Sequence, residues 1–162
     1  MQINSELLDE ILSEVERPIR YVDGEWNAVH KRLDDVAVRV LLAFPDTYEV
    51  GMSHLGLKIL YYILNQRDDT ACERAFMPWV DMHAAMKARG VPLYSLESHV
   101  PASEFDIVGF SLQYELSYTN VLAMLDLAGI PARASARGER DPLVIAGGPC
   151  AYNPEPVAPF FD

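Results

Sequence analysis

The chain has 162 residues, half of them hydrophobic, with a formal net charge of −11 and a pI near 4.7. That length suits a single domain with a real core. The acidic balance, without a basic stripe, argues against direct nucleic-acid binding, which depends on Lys and Arg neutralising phosphates.

No apolar run approaches the ~18 residues of a membrane span. The acidic N-terminus, MQINSELLDEILSEVE, reads as neither a secretory signal nor a transit peptide. The two cysteines, Cys72 and Cys150, form no C-x-x-C pattern. The expectation is two reduced thiols in a cytoplasmic protein.

In chain order, residues 5 to 15 predict a helix capped by Asn4 or Ser5. Leu8, Ile11, Leu12 and Val15 lie on one face and Glu6, Asp9, Glu10 and Glu14 on the other. Residues 19 to 33 are irregular, with a turn signal at Asp23-Gly24 and with Tyr21 and Trp26 as candidate anchors. Residues 1–34 therefore read as a helix plus an arm, and 35–162 as the α/β domain.

Val36 to Phe44 is an apolar run suited to a central parallel strand. A turn, Pro45 to Gly56, then leads to a helix carrying Leu57, Leu60, Tyr61 and Leu64. Cys72 to Met77 predicts a strand. Pro78 opens a helix closed by Gly90, with Trp79, Met82 and Met86 on one face. Val91 to Leu96 is a short strand candidate, and Asp106 to Ser111 a clear one.

Tyr114 to Ala128 predicts a helix stopped by Gly129. Leu143 to Ala146 predicts a buried strand running into Gly147-Gly148-Pro149, and Pro154 to Asp162 a short last helix. This alternation argues for a doubly wound, flavodoxin-like parallel sheet of four to five strands with helices on both faces. The expectation is that its last edge strand is missing, since a further strand would follow the last helix.

Ligands of such sheets bind outside the carboxyl ends of the strands. That brings forward the loop from Pro45 to Gly56, the residues after Ser111, and Gly147-Gly148-Pro149-Cys150. Glycines let a ligand approach the backbone. A helix starting near Gly56 offers free N–H donors, and Ser111 adds a hydroxyl. A tight turn alone would also account for the Gly-Gly pair.

His54 is the sharpest single residue. It can ligate a metal, or it can cap the helix that follows. Asp46 and Glu49 do not complete a metal spacing with it, and His30, His83 and His99 have no partners at ligand spacing. Ser53 has no nucleophile-elbow context, and no P-loop is present. A receiver domain needs an acid where Ser111 stands, and a flavodoxin needs a richer phosphate loop than Thr47, Ser53 and two glycines provide.

Three stretches, FPDTYEVGMSHLGLKILYYILN, IVGFSLQYELSYTNVL and IAGGPCAYNPEPVAPFFD, resemble the N-terminal region of radical S-adenosylmethionine (SAM) proteins that carry a cobalamin-binding-like domain. The resemblance spans roughly residues 17 to 162. It implies a flavodoxin-like domain in front of a radical SAM barrel, whose C-x-x-x-C-x-x-C motif would hold a [4Fe–4S] cluster and SAM. That motif is not in this sequence, so the chain looks like the N-terminal part of a longer enzyme, with its own C-terminal radical SAM domain as partner.

Cobalamin domains carry D-x-H-x-x-G, then S-x-L, then Gly-Gly. His54, Ser111 and Gly147-Gly148 match. Met52 stands where the acid would be, Leu57 follows where the glycine would be (the glycine is Gly56), and Gln113 replaces the leucine. Without the acid, nothing holds a histidine–cobalt bond in its outer shell. The implied cofactor-binding set is Ser53, His54, Gly56, Ser111, Gln113, Gly147, Gly148 and Pro149. The corrinoid's nucleotide tail would lie along these loops without a histidine ligand. The alternative is a degenerate flavodoxin-like interaction module that binds no cofactor.

Overall fold

The computed structural model describes residues 3–162. Helix α1, Ser5–Glu14, begins where the Asn4 side chain accepts from the Glu6 and Leu7 N–H groups at 2.9 and 3.3 Å. It buries Leu8 and Ile11. An irregular arm with short 3-10 turns at Pro18–Tyr21 and Leu33–Asp35 then leads into β1, Val38–Phe44.

After β1 come α2, Tyr48–Ser53, and α3, Leu55–Asn65, then β2, Thr70–Phe76, and α4, Val80–Arg89. Strand β3, Ile107–Ser111, is followed by α5, Tyr118–Ala128, and β4, Leu143–Gly147.

The four strands are all parallel, in the order β2-β1-β3-β4. This is the flavodoxin-like order as far as its fourth strand, with the topological switch between β1 and β3. Helices lie on both faces. On one face α1, α4 and α5 pack Leu8, Ile11, Met82, Met86, Met124 and Leu125 into a cluster with Leu41, Val108 and Val144. On the other, α3 sets Leu57 and Tyr61 against Val40, Leu42, Phe44, Cys72 and Phe76.

Four sequence expectations are corrected. The turn after β1 contains a six-residue helix, α2. The helix expected from Tyr114 starts at Tyr118, after a 3-10 turn over Glu115–Ser117. Val91 to Leu96 is not a strand. Its N–H groups go to scattered acceptors, Leu93 to Leu127, Ser95 to Val100 and Leu96 to Arg74, and only a single bridge joins Tyr94 to Pro101. The last helix expected over Pro154 to Asp162 is instead a turn over residues 155–157 and a single 3-10 turn, Ala158–Phe160. Pro154, Pro156 and Pro159 withhold the donors an α-helix would need there.

The two sheet edges are finished differently. The outward-facing backbone of β2 is engaged from the Thr70 carbonyl to Arg74. Lys31 Nζ donates to the Thr70 carbonyl, Asn65 pairs with both backbone groups of Cys72, and Arg74 gives its N–H to Glu97 while its carbonyl accepts from the Leu96 N–H. An edge closed by side chains resists further pairing. At β4, among the described residues, only Val144 is so engaged, through Asp162.

Candidate functional site

The carboxyl ends of β1 and β3 are tied together at the switch point. Asp46 accepts from the Thr47 N–H through Oδ1 at 2.7 Å and from the Tyr114 hydroxyl through Oδ2 at 3.2 Å. Asn120 on α5 donates to the Pro45 carbonyl at 2.9 Å.

Ser53, His54 and Gly56 stand together at the α2–α3 junction. Ser53 Oγ donates to the Val50 carbonyl at 2.8 Å. His54 caps α3, its Nδ1 accepting from the Leu57 N–H at 3.1 Å while its ring leans on Phe44 at 5.3 Å. A neutral imidazole that accepts at Nδ1 carries its proton on Nε2. The cap therefore removes the lone pair a metal would need at Nε2. An added Cβ on Gly56 would meet the His54 ring at 2.8 Å, so this glycine makes room for the cap.

Ser111, Gln113, Gly147, Gly148 and Pro149 form a second group. Ser111 lies beside Gly147 in register, and the Leu112 N–H donates to the Gly147 carbonyl at 2.7 Å. Gly148 sits at φ +104°, and a Cβ there would stand 2.5 Å from the Leu112 carbonyl oxygen and 3.1 Å from Gln113 Nε2. Pro149 opens the 3-10 turn that follows. No hydrogen bond among the described residues joins this group to the His54 group.

The two groups share a face. A Cβ on Gly109 would rest 3.6 Å from Leu42 and 3.7 Å from Ile145, so Gly109, Ile145 and, by period-two alternation, Ser111 and Gly147 point to the α3 side. A Cβ on Gly147 would meet nothing within 4 Å. Alpha-helical cover on this face comes from α2 and α3, over β1 and β2. The half over β3 and β4 is open, with Leu143 and Ile145 exposed there. Gly109 and Ile145 carry no sequence signal that separates them from ordinary strand residues. Among the described residues, no group of three or more His, Cys, Asp or Glu could hold a metal.

The family model described as radical SAM proteins, N-terminal, matches residues 56–162, more than half of the chain. The chain belongs to this family. An uncharacterized protein of Methanocaldococcus jannaschii is 25% identical to it over 124 residues, which make up 76% of this chain and 22% of that protein. The chain thus spans about a fifth of the length of this relative. No solved structure matches it.

This radical SAM N-terminal domain also contains a buried charge cluster that sequence reading missed. Arg74 on β2 donates to Glu97 at 2.6 Å and to Glu25 at 3.0 Å, and its guanidinium lies 4.3 Å from the centroid of the Tyr61 ring. The Tyr48 hydroxyl donates to Glu25 at 2.6 Å, and burial together with that carboxylate pushes the phenol up to about 12. Arg74 and Glu97 are both buried. The cluster pins the arm, through Glu25, against the sheet. Beside it, Glu25, Trp26, Lys58, Tyr61, Tyr62 and Arg74 help line a cleft of about 610 Å³. Every charged group of the cluster is paired within the chain, so its visible task is structural. No pattern marks it in the sequence, because its members are far apart along the chain.

Proposed function

We propose that this domain holds a corrinoid of the cobalamin class by its nucleotide tail, on the open half of the α3 face. There it would orient the cofactor toward the radical SAM domain of the full-length protein. One observation carries the reading. Gly109, Ser111 and Gly147 leave a strip of small side chains on β3 and β4 that no helix covers, beside an α3 that is apolar on nearly all sides.

In this reading Gly147 admits the tail close to the backbone, the Ser111 hydroxyl donates to or accepts from it, and Gln113, Gly148 and Pro149 shape the end of the groove. Ser53, His54 and Gly56 set the start of α3. His54 contributes no cobalt ligand, because its Nδ1 is spent on the cap. When bound, the corrinoid would supply cobalt-centred group-transfer chemistry, and the chain's own residues would bind and orient it. The [4Fe–4S] cluster and SAM would belong to the radical SAM domain, since Cys72 and Cys150 are buried on separate elements and cannot supply a cluster triad. Two unpaired thiols fit a reducing compartment, and we assign the protein to the cytoplasm on that ground.

Spectroscopic titration of the full-length protein with hydroxocobalamin tests this. We expect binding that weakens at least tenfold in Ser111→Leu and Gly147→Leu and is unchanged in His54→Ala. Absence of binding by the full-length wild type removes the reading. A second reading, a cofactor-free interaction module, has its own support: Gly56, Gly148 and His54 are all accounted for by packing within the chain. It is favoured if cobalamin does not bind while the domain still docks on the radical SAM domain.

A further inference from the structure

Residues 25–29 of the arm form a turn beside α3 that is anchored at both ends. At one end Glu25 accepts from Arg74 Nη2 at 3.0 Å and from the Tyr48 hydroxyl at 2.6 Å. At the other the Val29 N–H donates to the Tyr61 hydroxyl at 2.7 Å, and Lys31 Nζ donates to the Arg67 and Thr70 carbonyls. The Ala28 N–H closes the turn on the Glu25 carbonyl at 3.0 Å. Trp26 and Asn27 stand at its tip, and Trp26 is 97% exposed. A tryptophan on a turn so fixed keeps its apolar surface in water instead of folding it inward.

Between this turn and α3 lies the cleft of about 610 Å³, a size that suits a small organic molecule. Its α3 wall is a stripe at helical spacing, Lys58, Tyr61, Tyr62, Asn65 and Gln66, on the flank of the helix toward β2. The proposed corrinoid groove lies on the other flank, over β3 and β4. Tyr62 is 64% exposed, so the two walls of the cleft each carry an aromatic ring open to solvent.

Arg74 and Met52 also line the cleft. The charge of Arg74 is spent on Glu97 and Glu25, but its donors are not all used. Its Nη1 donates only to Met52 Sδ, at 3.2 Å. A thioether is a weak acceptor, so a buried guanidinium N–H bordering the cleft has no oxygen partner among the described residues. The same holds of the Asn27 and Gln66 side-chain amides on the two walls, which can each donate and accept at a ligand's edge. Arg74 with its two carboxylates carries one net negative charge, and Lys58, which has no ion pair among the described residues, restores neutrality. A site already neutral favours an uncharged ligand, since a further charge would lose water without gaining a counter-ion.

We propose that this cleft binds an uncharged planar aromatic amide. The aromatic ring lies between Trp26 and Tyr62. Its carbonyl oxygen accepts from Arg74 Nη1, giving that donor the acceptor the Met52 sulfur supplies only weakly. The site is separate from the corrinoid groove and does not depend on cobalamin being bound.

The test is calorimetric titration of the full-length, cobalamin-free protein with indole-3-carboxamide as probe. We expect it to bind at least tenfold more tightly than 3-methylindole, which lacks the carbonyl, than cyclohexanecarboxamide, which lacks the aromatic ring, and than indole-3-carboxylate, which adds a charge. Trp26→Ala and Tyr62→Ala, both at exposed positions, should each weaken binding at least tenfold, while Trp79→Ala on another surface leaves it unchanged. No binding by the wild type, binding unmoved by both Trp26→Ala and Tyr62→Ala, or equal binding of any of the three analogues overturns the proposal. If indole-3-carboxamide binds in this pattern and hydroxocobalamin does not bind, the corrinoid reading falls and this site stands. If hydroxocobalamin binds and the carboxamide does not, the reverse holds.

Discussion

At Gly148 and Gly56 the need for glycine comes from different neighbours, and the expected costs differ accordingly. Gly148 combines φ +104° with a carbonyl oxygen, that of Leu112, 2.5 Å from where its Cβ would lie. Neither the backbone angle nor the backbone neighbour can yield cheaply, so Gly148→Ala should cost about 1–3 kcal/mol in urea unfolding. Gly56 faces only the His54 ring, which can swing away. Gly56→Ala and His54→Ala should therefore each cost about the value of one helix cap, roughly 1 kcal/mol.

Arg74 is a larger matter, because it neutralises buried Glu97 and shielded Glu25 at once. Arg74→Met leaves both acids without their cation and should destabilise by about 3–5 kcal/mol, as breaking a buried pair does. From sequence, His54 could be read as cap or ligand but not decided between them. The choice depends on where the Leu57 N–H points relative to Nδ1.

At the scale of elements, α1 packs directly into the core. Ile11 is fully buried against the cluster that holds Met82 and Met86, and Arg89 of α4 pairs with Glu14 at 2.6 Å. Ile11→Ala should lower stability by about 2–5 kcal/mol, read from the urea midpoint at unchanged slope.

The α1–α4 junction also carries a pH signature. Asp81 accepts from the Glu16 N–H at 2.8 Å, and that bond holds its carboxyl below the usual value. A carboxyl lowered in the folded state binds fewer protons there than in the unfolded chain. Its contribution is therefore complete above the unfolded value of about 3.9 and is lost as pH falls through the lower folded value. Asp81→Asn should accordingly flatten the acid limb of stability below about pH 4 in a urea series, with little change in its slope above.

The helices α1, α3 and α5 were legible because each repeats apolar residues at helical spacing, and β1 and β3 because each is a short apolar run. Val91 to Leu96 misled because buried residues in a loop are as apolar as those in a strand, and only the direction of their backbone bonds tells them apart.

At the scale of the whole molecule, strand order, handedness and edge closure decide where a ligand or a neighbouring segment can go. Side chains and the Leu96 N–H occupy the β2 edge from Thr70 to Arg74, whereas the β4 edge offers Ala146 and an apolar face. Adding hydroxocobalamin to the full-length protein should slow hydrogen exchange along β4 and the open flank of α3, where the ligand would lie. It should leave exchange unchanged in the arm around Trp26, whose indole is 97% exposed.

The sequence by itself determined the α/β class, the parallel sheet, the chain order of its strands and the loops that gather at its carboxyl edge. Periodicity and glycine placement are local properties, and they suffice for those. Only the tertiary structure decided that His54 is a cap, that Gly109 and Ile145 share a face with Ser111, and that Arg74, Glu97 and Glu25 meet. It also decided that half of one sheet face stands open. Each of these is a relation between residues distant in the chain, set by strand order and by the right-handed sense of the connections, and no local pattern encodes it.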